Sequence, residues 1–453
     1  MRDDGGTPEL RERVAADMPR TLAELERLVR IPSKGYAGDD PANVRASAEA
    51  TRAILADAGF ADVRLIELDG GHPAVFGEMP GPEGSPTVLL YAHHDVQPEG
   101  PLDQWDSPPF EPVVRDGRMF GRGTADDKCG VAIHAAAARA LDGPPPVTVK
   151  VIVEGEEECS TAHLPELVLG NADLLRADVA VIADSGNYRT GVPTITTSIR
   201  GVTDCVVEVR VLEQAQHSGS YGGPLPDAIT ALARIIARLH DDDGTVMVPG
   251  LLRFPWAGSD YPEDELRAEA RPVPGVRMLG HGTIADRVWA GPAIDVLGID
   301  APRIAGSSNQ IVPVASARVS LRLAPGDDPE AASAALRRFL LDAAPWGVEV
   351  SIREGAYEAG RGFLLDTSGP AMTAARAALE EAFGRGVMEM GSGGSIPLVP
   401  MLADTFPDIE ILLWGASDER SNLHSVNESV DLGELERMVL AEALLLGNLA
   451  RPA

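Results

Sequence analysis

The stretch TVLLYAHHDVQP, Thr87 to Pro98, opens on a strand-like run and ends on two histidines and an aspartate. A short apolar run of this kind reads as a buried strand of an α/β sheet, and open α/β sheets gather their sites where such strands end. Consecutive side chains of an extended strand point to opposite faces, so His93 and Asp95 share a face while His94 points away. His93 is therefore the candidate metal ligand. Asp95 is placed to hold the other ring nitrogen, as carboxylates beside metal-bound imidazoles commonly do.

The same grammar recurs in VTVKVIV (Val147 to Val153), DVAVIA (Asp178 to Ala183) and IEILLW (Ile409 to Trp414), each followed within a few residues by acids or histidine. Together with the helical patterns between them, these runs predict an α/β sheet. The second leads into EGEEEC, with Glu156, Glu157 and Glu158 adjacent. Three glutamates are usually a solvated charge run, but at the end of a buried strand they must be paired or bind a cation, because unpaired buried carboxylates are costly. Asp126, Asp184 and His424 occupy comparable positions: after a hairpin, after a strand and at a strand-to-loop exit. The hairpin is VVRDGRMF, whose Asp116-Gly117 supplies the positive φ angles of a two-residue turn.

A chain of 453 residues is too long for one ordinary core, so two domains are expected. The texture changes beyond Ser198. Strand-like TDCVVEVRVL leads through HSGSYGG to a helical run in which Ile229, Leu232, Ile236 and Leu239 share a face. ARVSLRLAP then precedes the helical PEAASAALRRFLLDAA, with Leu336, Phe339 and Leu340 as its buried face, and Leu251 to Val288 reads as an irregular insertion. These patterns give a first domain of residues 1–197 and 359–453 and a second of 198–358.

Composition narrows the function. The net charge of -30, from 39 basic and 69 acidic residues, disfavours nucleic acid and anionic lipid as partners. No apolar run approaches the roughly 18 residues of a membrane span, and the charged N-terminal segment has no secretory pattern, so a cytoplasmic location is expected. The three cysteines, Cys129, Cys159 and Cys205, make neither a disulfide framework nor a thiolate zinc site. Any metal must then use oxygen and nitrogen.

The ordered set YAHHDVQP, GRGTADDKCG, EGEEEC, VIADSG, HSGSYGGPLPDA, GGSIP and NLHSVNE, spanning Tyr91 to Glu428, resembles the co-catalytic metallopeptidases that include carnosinases, carboxypeptidase G, succinyl-diaminopimelate desuccinylase and acetylornithine deacetylase. The wording of HHDVQP, HSGSYGG and GGSIP is closest to the carnosinase-like dipeptidases. The resemblance implies a mixed-sheet α/β zinc-peptidase domain with an inserted α+β lid that dimerises. It implies two divalent ions per subunit, zinc first with manganese or cobalt as alternatives: His93 and Asp184 on one, Glu158 and His424 on the other, Asp126 bridging. It also implies a cis peptide between Asp126 and Asp127. Glu157 is the implied general base, Asp95 supports His93, and His217 stabilises the oxyanion from the partner subunit of a homodimer.

Arg322 matches an arginine that grips the free carboxylate of a dipeptide, with Gly394 and Ser395 adding donors. The expected reaction is hydrolysis of dipeptides or short peptides with a free C-terminal carboxylate. The alternatives are an N-acyl-amino-acid deacylase and a non-catalytic peptide-binding relative. Cys129 and Cys159 stand where relatives commonly carry glycine and serine, which raises the expectation of sensitivity to thiol-directed metals or oxidants.

Overall fold

The four apolar runs become four neighbouring parallel strands. In the computed structural model, which describes residues 6–355, 360–394 and 396–450, the strand order is Ala61–Ile66, Ala74–Met79, Thr148–Glu154, Thr87–His93, Val179–Ile182, Glu410–Leu413. The last four run parallel and the first two antiparallel, so the sheet is mixed. Val179–Ile182 is buried throughout and Thr87–His93 in all but its first residue; strands covered on both faces carry such uninterrupted apolar runs. His93 lies beside Glu154, and Tyr91 beside Ile182. The segments that follow these strands therefore leave the sheet at one edge.

Helices cover this sheet. Lys128–Ala140, rich in alanine and buried along almost its whole length, is N-capped by Asp127, which accepts from Gly130 N at 3.2 Å. It packs against Gly6–Val29 and Leu432–Leu449. The buried His134 fastens these layers: Nδ1 lies 2.8 Å from Glu442 Oε1, and Nε2 lies 3.0 Å from the Tyr91 carbonyl. The expected hairpin is present, Val113–Arg115 against Arg118–Phe120, with Asp116 at φ 49° and Gly117 at φ 75°.

The chain forms two compact units, one of Met1–Thr197, Leu365–Met390 and Leu398–Ala453, the other of Ser198–Leu364 with Gly391–Pro397. The second thus runs to Leu364 rather than 358 and takes in the later glycine-rich turn. Its antiparallel sheet has the order Ala293–Asp300, Val314–Leu323, Gly201–Arg210, Glu349–Glu354. Val207, Val209, Val319 and Leu321 pack against Leu232 and Ile235 of helix Ala228–Ile236 and Leu336 and Leu340 of helix Pro329–Asp342.

The buried stripe of the first of these helices is Ala228, Ala231, Leu232 and Ile235, with Ile229 39% exposed. The expected stripe was out of phase at Ile229 and Ile236. Phe339 is only partly buried. The insertion is less irregular than expected, holding helices Glu263–Ala270 and Ile284–Trp289, and Trp289 stacks on Tyr261 with ring centroids 5.5 Å apart. No helix among the described residues is long and apolar enough to cross a membrane.

Candidate metal centre

Each strand end delivers one part of a cluster. His93 closes its strand with its side chain buried, while Asp184 follows Val179–Ile182 and the glutamates follow Thr148–Glu154. Asp126 precedes the capped helix and joins Asp127 through a cis peptide. His424 comes from the loop between Glu410–Leu413 and Ser429–Asp431 and has a left-handed φ of 58°.

Asp126 faces two imidazoles with two different oxygens. Its Oδ1 lies 3.0 Å from His93 Nε2 and its Oδ2 2.9 Å from His424 Nε2. His93 Nε2 is 3.8 Å from Asp184, and His424 Nε2 is 3.3 Å from Glu158 Oε2. Ligand atoms of His93, Glu157 and Asp184 fall within 4.8 Å of one another, as do those of His93, Asp126 and Glu158.

The electrostatics follow from this crowding. Burial, then the charge of Asp184, raises Glu157 well above the usual carboxylate range. Burial also raises Asp184, and burial followed by the charge of Asp126 raises Glu158. Hydrogen bonding to Asp126 and then Glu158 pushes His424 up to about 11. So many carboxylates in one recess stay ionised only beside positive charge. Glu158 Oε1 is buried without a hydrogen-bond partner. The donor set of imidazoles and carboxylates therefore fits two divalent ions, with Asp126 able to face both.

The strand alternation holds in detail. His94 points the other way, its Nε2 3.0 Å from the Pro73 carbonyl, and burial lowers it to about 4, which keeps it neutral. Asp95 meets His93 twice: Nδ1 of the ring lies 3.1 Å from the Asp95 backbone carbonyl and 3.4 Å from its carboxylate Oδ1. The other carboxylate oxygen, Oδ2, accepts from Glu158 N at 3.0 Å, so Asp95 ties the histidine strand to the glutamate turn. Of the three glutamates, Glu156 turns away to accept from His72 N and to meet His163 Nδ1.

Gln97, two residues beyond Asp95 on the same alternation, donates from Nε2 to Glu158 Oε2 at 2.7 Å. Sequence reasoning passed over it because it is neutral, although the period-two pattern places it on that face. Cys129 is buried and Cys159 partly so; burial and then nearby carboxylates push both thiols well above their ordinary value, which disfavours the reactive thiolate.

His217, Arg322 and Gly394 belong to the second unit. His217 is exposed, and its Nδ1 accepts from Gly219 N and Ser220 N at 3.1 and 3.2 Å. The neutral ring then carries its proton on Nε2, as a donor. Arg322 pairs with Val202 in the sheet, and Arg200 directly precedes that strand, near enough for the two like charges to interact. Arg200 is 9% exposed, and burial followed by the like charge of Arg322 lowers it to about 10. The Gly394 carbonyl accepts from Arg200 N at 3.1 Å. Ser395 lies outside the described residues.

Known proteins of similar sequence and fold place the chain in a family. The chain is 34% identical to the cysteinylglycine-S-conjugate dipeptidase of Corynebacterium striatum, over 98% of this chain and 99% of that protein. It is 26% identical to the Beta-Ala-His dipeptidase of Rattus norvegicus, over 91% and 85% respectively. The fold matches the di-peptidase Dug1p from Saccharomyces cerevisiae with a TM-score of 0.83 at 21% identity, covering 98% of both chains. Human carnosine dipeptidase 1 gives a TM-score of 0.83 at 24% identity, again covering 98% of both. The family model for peptidase family M20/M25/M40 matches residues 89–448, and the chain belongs to that family.

Proposed function

We propose that this protein is a two-metal dipeptidase that hydrolyses dipeptides or short peptides with a free C-terminal carboxylate. The observation that carries the reading is Asp126, one carboxylate turned by its two oxygens towards His93 and His424. His93 and Asp184 would hold one ion and Glu158 and His424 the other, with zinc as the first choice and manganese or cobalt as alternatives. When bound, these ions supply Lewis acidity to the scissile carbonyl and make the attacking water more acidic.

The chain's own groups do the rest. Glu157, left free by the ligand set, takes the proton of the attacking water and returns it to the leaving amine. Asp95 fixes the backbone of Glu158 and the orientation of His93. The Nε2 proton of His217 is a donor for the developing oxyanion. Arg322 receives the substrate carboxylate through a planar fork, assisted by Gly394 and Ser395. The like charge of the buried Arg200 near it supports an anion receptor there.

The named relatives are dipeptidases, which favours dipeptides over N-acyl amino acids. We place the protein in the cytoplasm as a homodimer formed through the second unit. The edge strand Ala293–Asp300, with Leu297 55% and Ile299 57% exposed, supports that surface.

Metal-reconstituted protein incubated with a dipeptide library and matched N-acetyl amino acids, read by mass spectrometry, tests the reading. Cleavage confined to peptide bonds of free-acid dipeptides supports it. Deacylation without peptide cleavage would move the assignment to a deacylase, and no turnover with metal bound would leave a peptide-binding relative.

A further inference from the structure

Glu428 is fully buried, and its carboxylate accepts four hydrogen bonds: at Oε2 from Arg122 Nη1 at 2.7 Å and Gly123 N at 3.0 Å, at Oε1 from Ala125 N at 2.9 Å and Asp126 N at 3.1 Å. Arg122, also buried, donates from Nη2 to the carbonyls of Pro98 and Ser425, each at 3.1 Å. One ion pair thus joins three chain segments that are remote in sequence. Pro98 follows the His93 and Asp95 strand end, Asp126 is the proposed bridge itself, and Ser425 adjoins His424.

The segments differ in how much they need this tie. His93 and Asp184 leave adjacent parallel strands whose backbone ladder fixes their separation, and Glu158 follows the next strand of the same ladder. His424 has no such support: it sits on a loop, with its side chain 56% exposed. Its carrier meets the Asp126 segment through the path Ser425 carbonyl, Arg122, Glu428, Asp126 amide. A carboxylate with this many donors, two on each oxygen, is held in one orientation, and its buried charge is tolerable only while the set is complete.

We propose that Arg122 and Glu428 are positioning residues that set His424 against Asp126 and so determine chiefly the affinity of the ion held by Glu158 and His424, with a smaller effect on the ion at His93 and Asp184, which shares the bridging Asp126 but keeps its ligands on the strand ladder. The inference rests on the two-metal reading above. Partners of metal ligands are typically worth about 10–100-fold in affinity, and here most of the loss falls on one ion of the two.

The test is calorimetric titration of chelator-stripped full-length protein with zinc, repeated with cobalt to follow the visible spectrum of each equivalent. For Glu428→Gln and Arg122→Lys we expect one equivalent bound within about threefold of wild type and the other weakened about 10–100-fold. Excess metal should partly restore kcat, with little change in KM. Arg122→Lys is the milder variant, since it keeps the charge beside Glu428 but gives up the fork that reaches Ser425. As a stability control, Glu442→Gln breaks the buried pair with His134 away from these loops, and should lower the melting temperature while both equivalents bind normally.

If folded Arg122→Lys binds both equivalents like wild type, or weakens both alike, the proposal is overturned. A selective loss that also appears in Glu442→Gln would overturn it too, by reducing it to general destabilisation. Wild-type protein that binds no metal would instead remove the metal reading beneath it.

Discussion

Glu157 and Glu158 are neighbours in the chain with opposite assignments, which makes them the sharpest probes of the site. Glu158 Oε2 meets His424 and Gln97, whereas Glu157 is crowded mainly by Asp184. Glu157→Gln should keep both ions and lower kcat about 10²–10⁴-fold, the usual contribution of a general base; Glu158→Gln should lower metal content measured by atomic emission. Near wild-type turnover by metal-loaded Glu157→Gln would contradict the role. Arg322→Met should raise KM for free-acid dipeptides about 10–100-fold, the worth of a charged hydrogen-bonding contact, and leave the matching amides little changed. Equal losses on acid and amide would remove Arg322 from the carboxylate site. At this scale much was legible: strand alternation separated His93 and Asp95 from His94, and the motif order supplied the other candidates. Arg122 and Glu428 were not, because nothing local marks a pair 306 residues apart in sequence as partners.

The elements were legible where one physical signal dominated. Runs such as Thr87 to Ala92 and Val147 to Val153 became strands because burial on both faces demands continuous apolar sequence, and Asp116-Gly117 made its hairpin through positive φ. Ala293–Asp300 went unseen. It is largely exposed and carries a register shift between Val296 and Gly298, so its alternation is broken. The phase error in Ala228–Ile236 has a local cause, since the Asp227 side chain caps Thr230 N and small alanines take the buried positions.

The loop bearing His424 offers a further prediction at this scale. Arg118 pairs through both nitrogens with Asp418 at 2.7 and 2.8 Å. Burial alone would raise the Asp418 carboxyl, but Arg118 holds it below its usual value. A depressed folded value means that the stabilisation is complete above the unfolded pKa of about 3.9 and lost as pH falls through the folded one. Asp418→Asn should therefore cost about 3–5 kcal/mol near neutrality, in denaturant titrations, with the gap to wild type closing only below about pH 4. A gap unchanged down to pH 2 would contradict the pairing.

For the whole molecule, the second unit matters through His217, which displays a donor nitrogen at an exposed position. If it serves the partner's site, homodimers of His217→Ala and of Glu157→Ala should each be nearly inactive, while mixed dimers recover one working site of two. Silence after confirmed subunit exchange would place His217 in its own chain's chemistry or outside it. The account as a whole stands on two-metal peptide hydrolysis, and the most direct measurement is dipeptide turnover by chelator-stripped protein during titration with zinc. The stripped chain should be inactive, activity should rise as two equivalents per chain are bound, and Glu157→Gln should bind the same two without turnover. Undiminished dipeptide hydrolysis by the stripped chain would contradict the account.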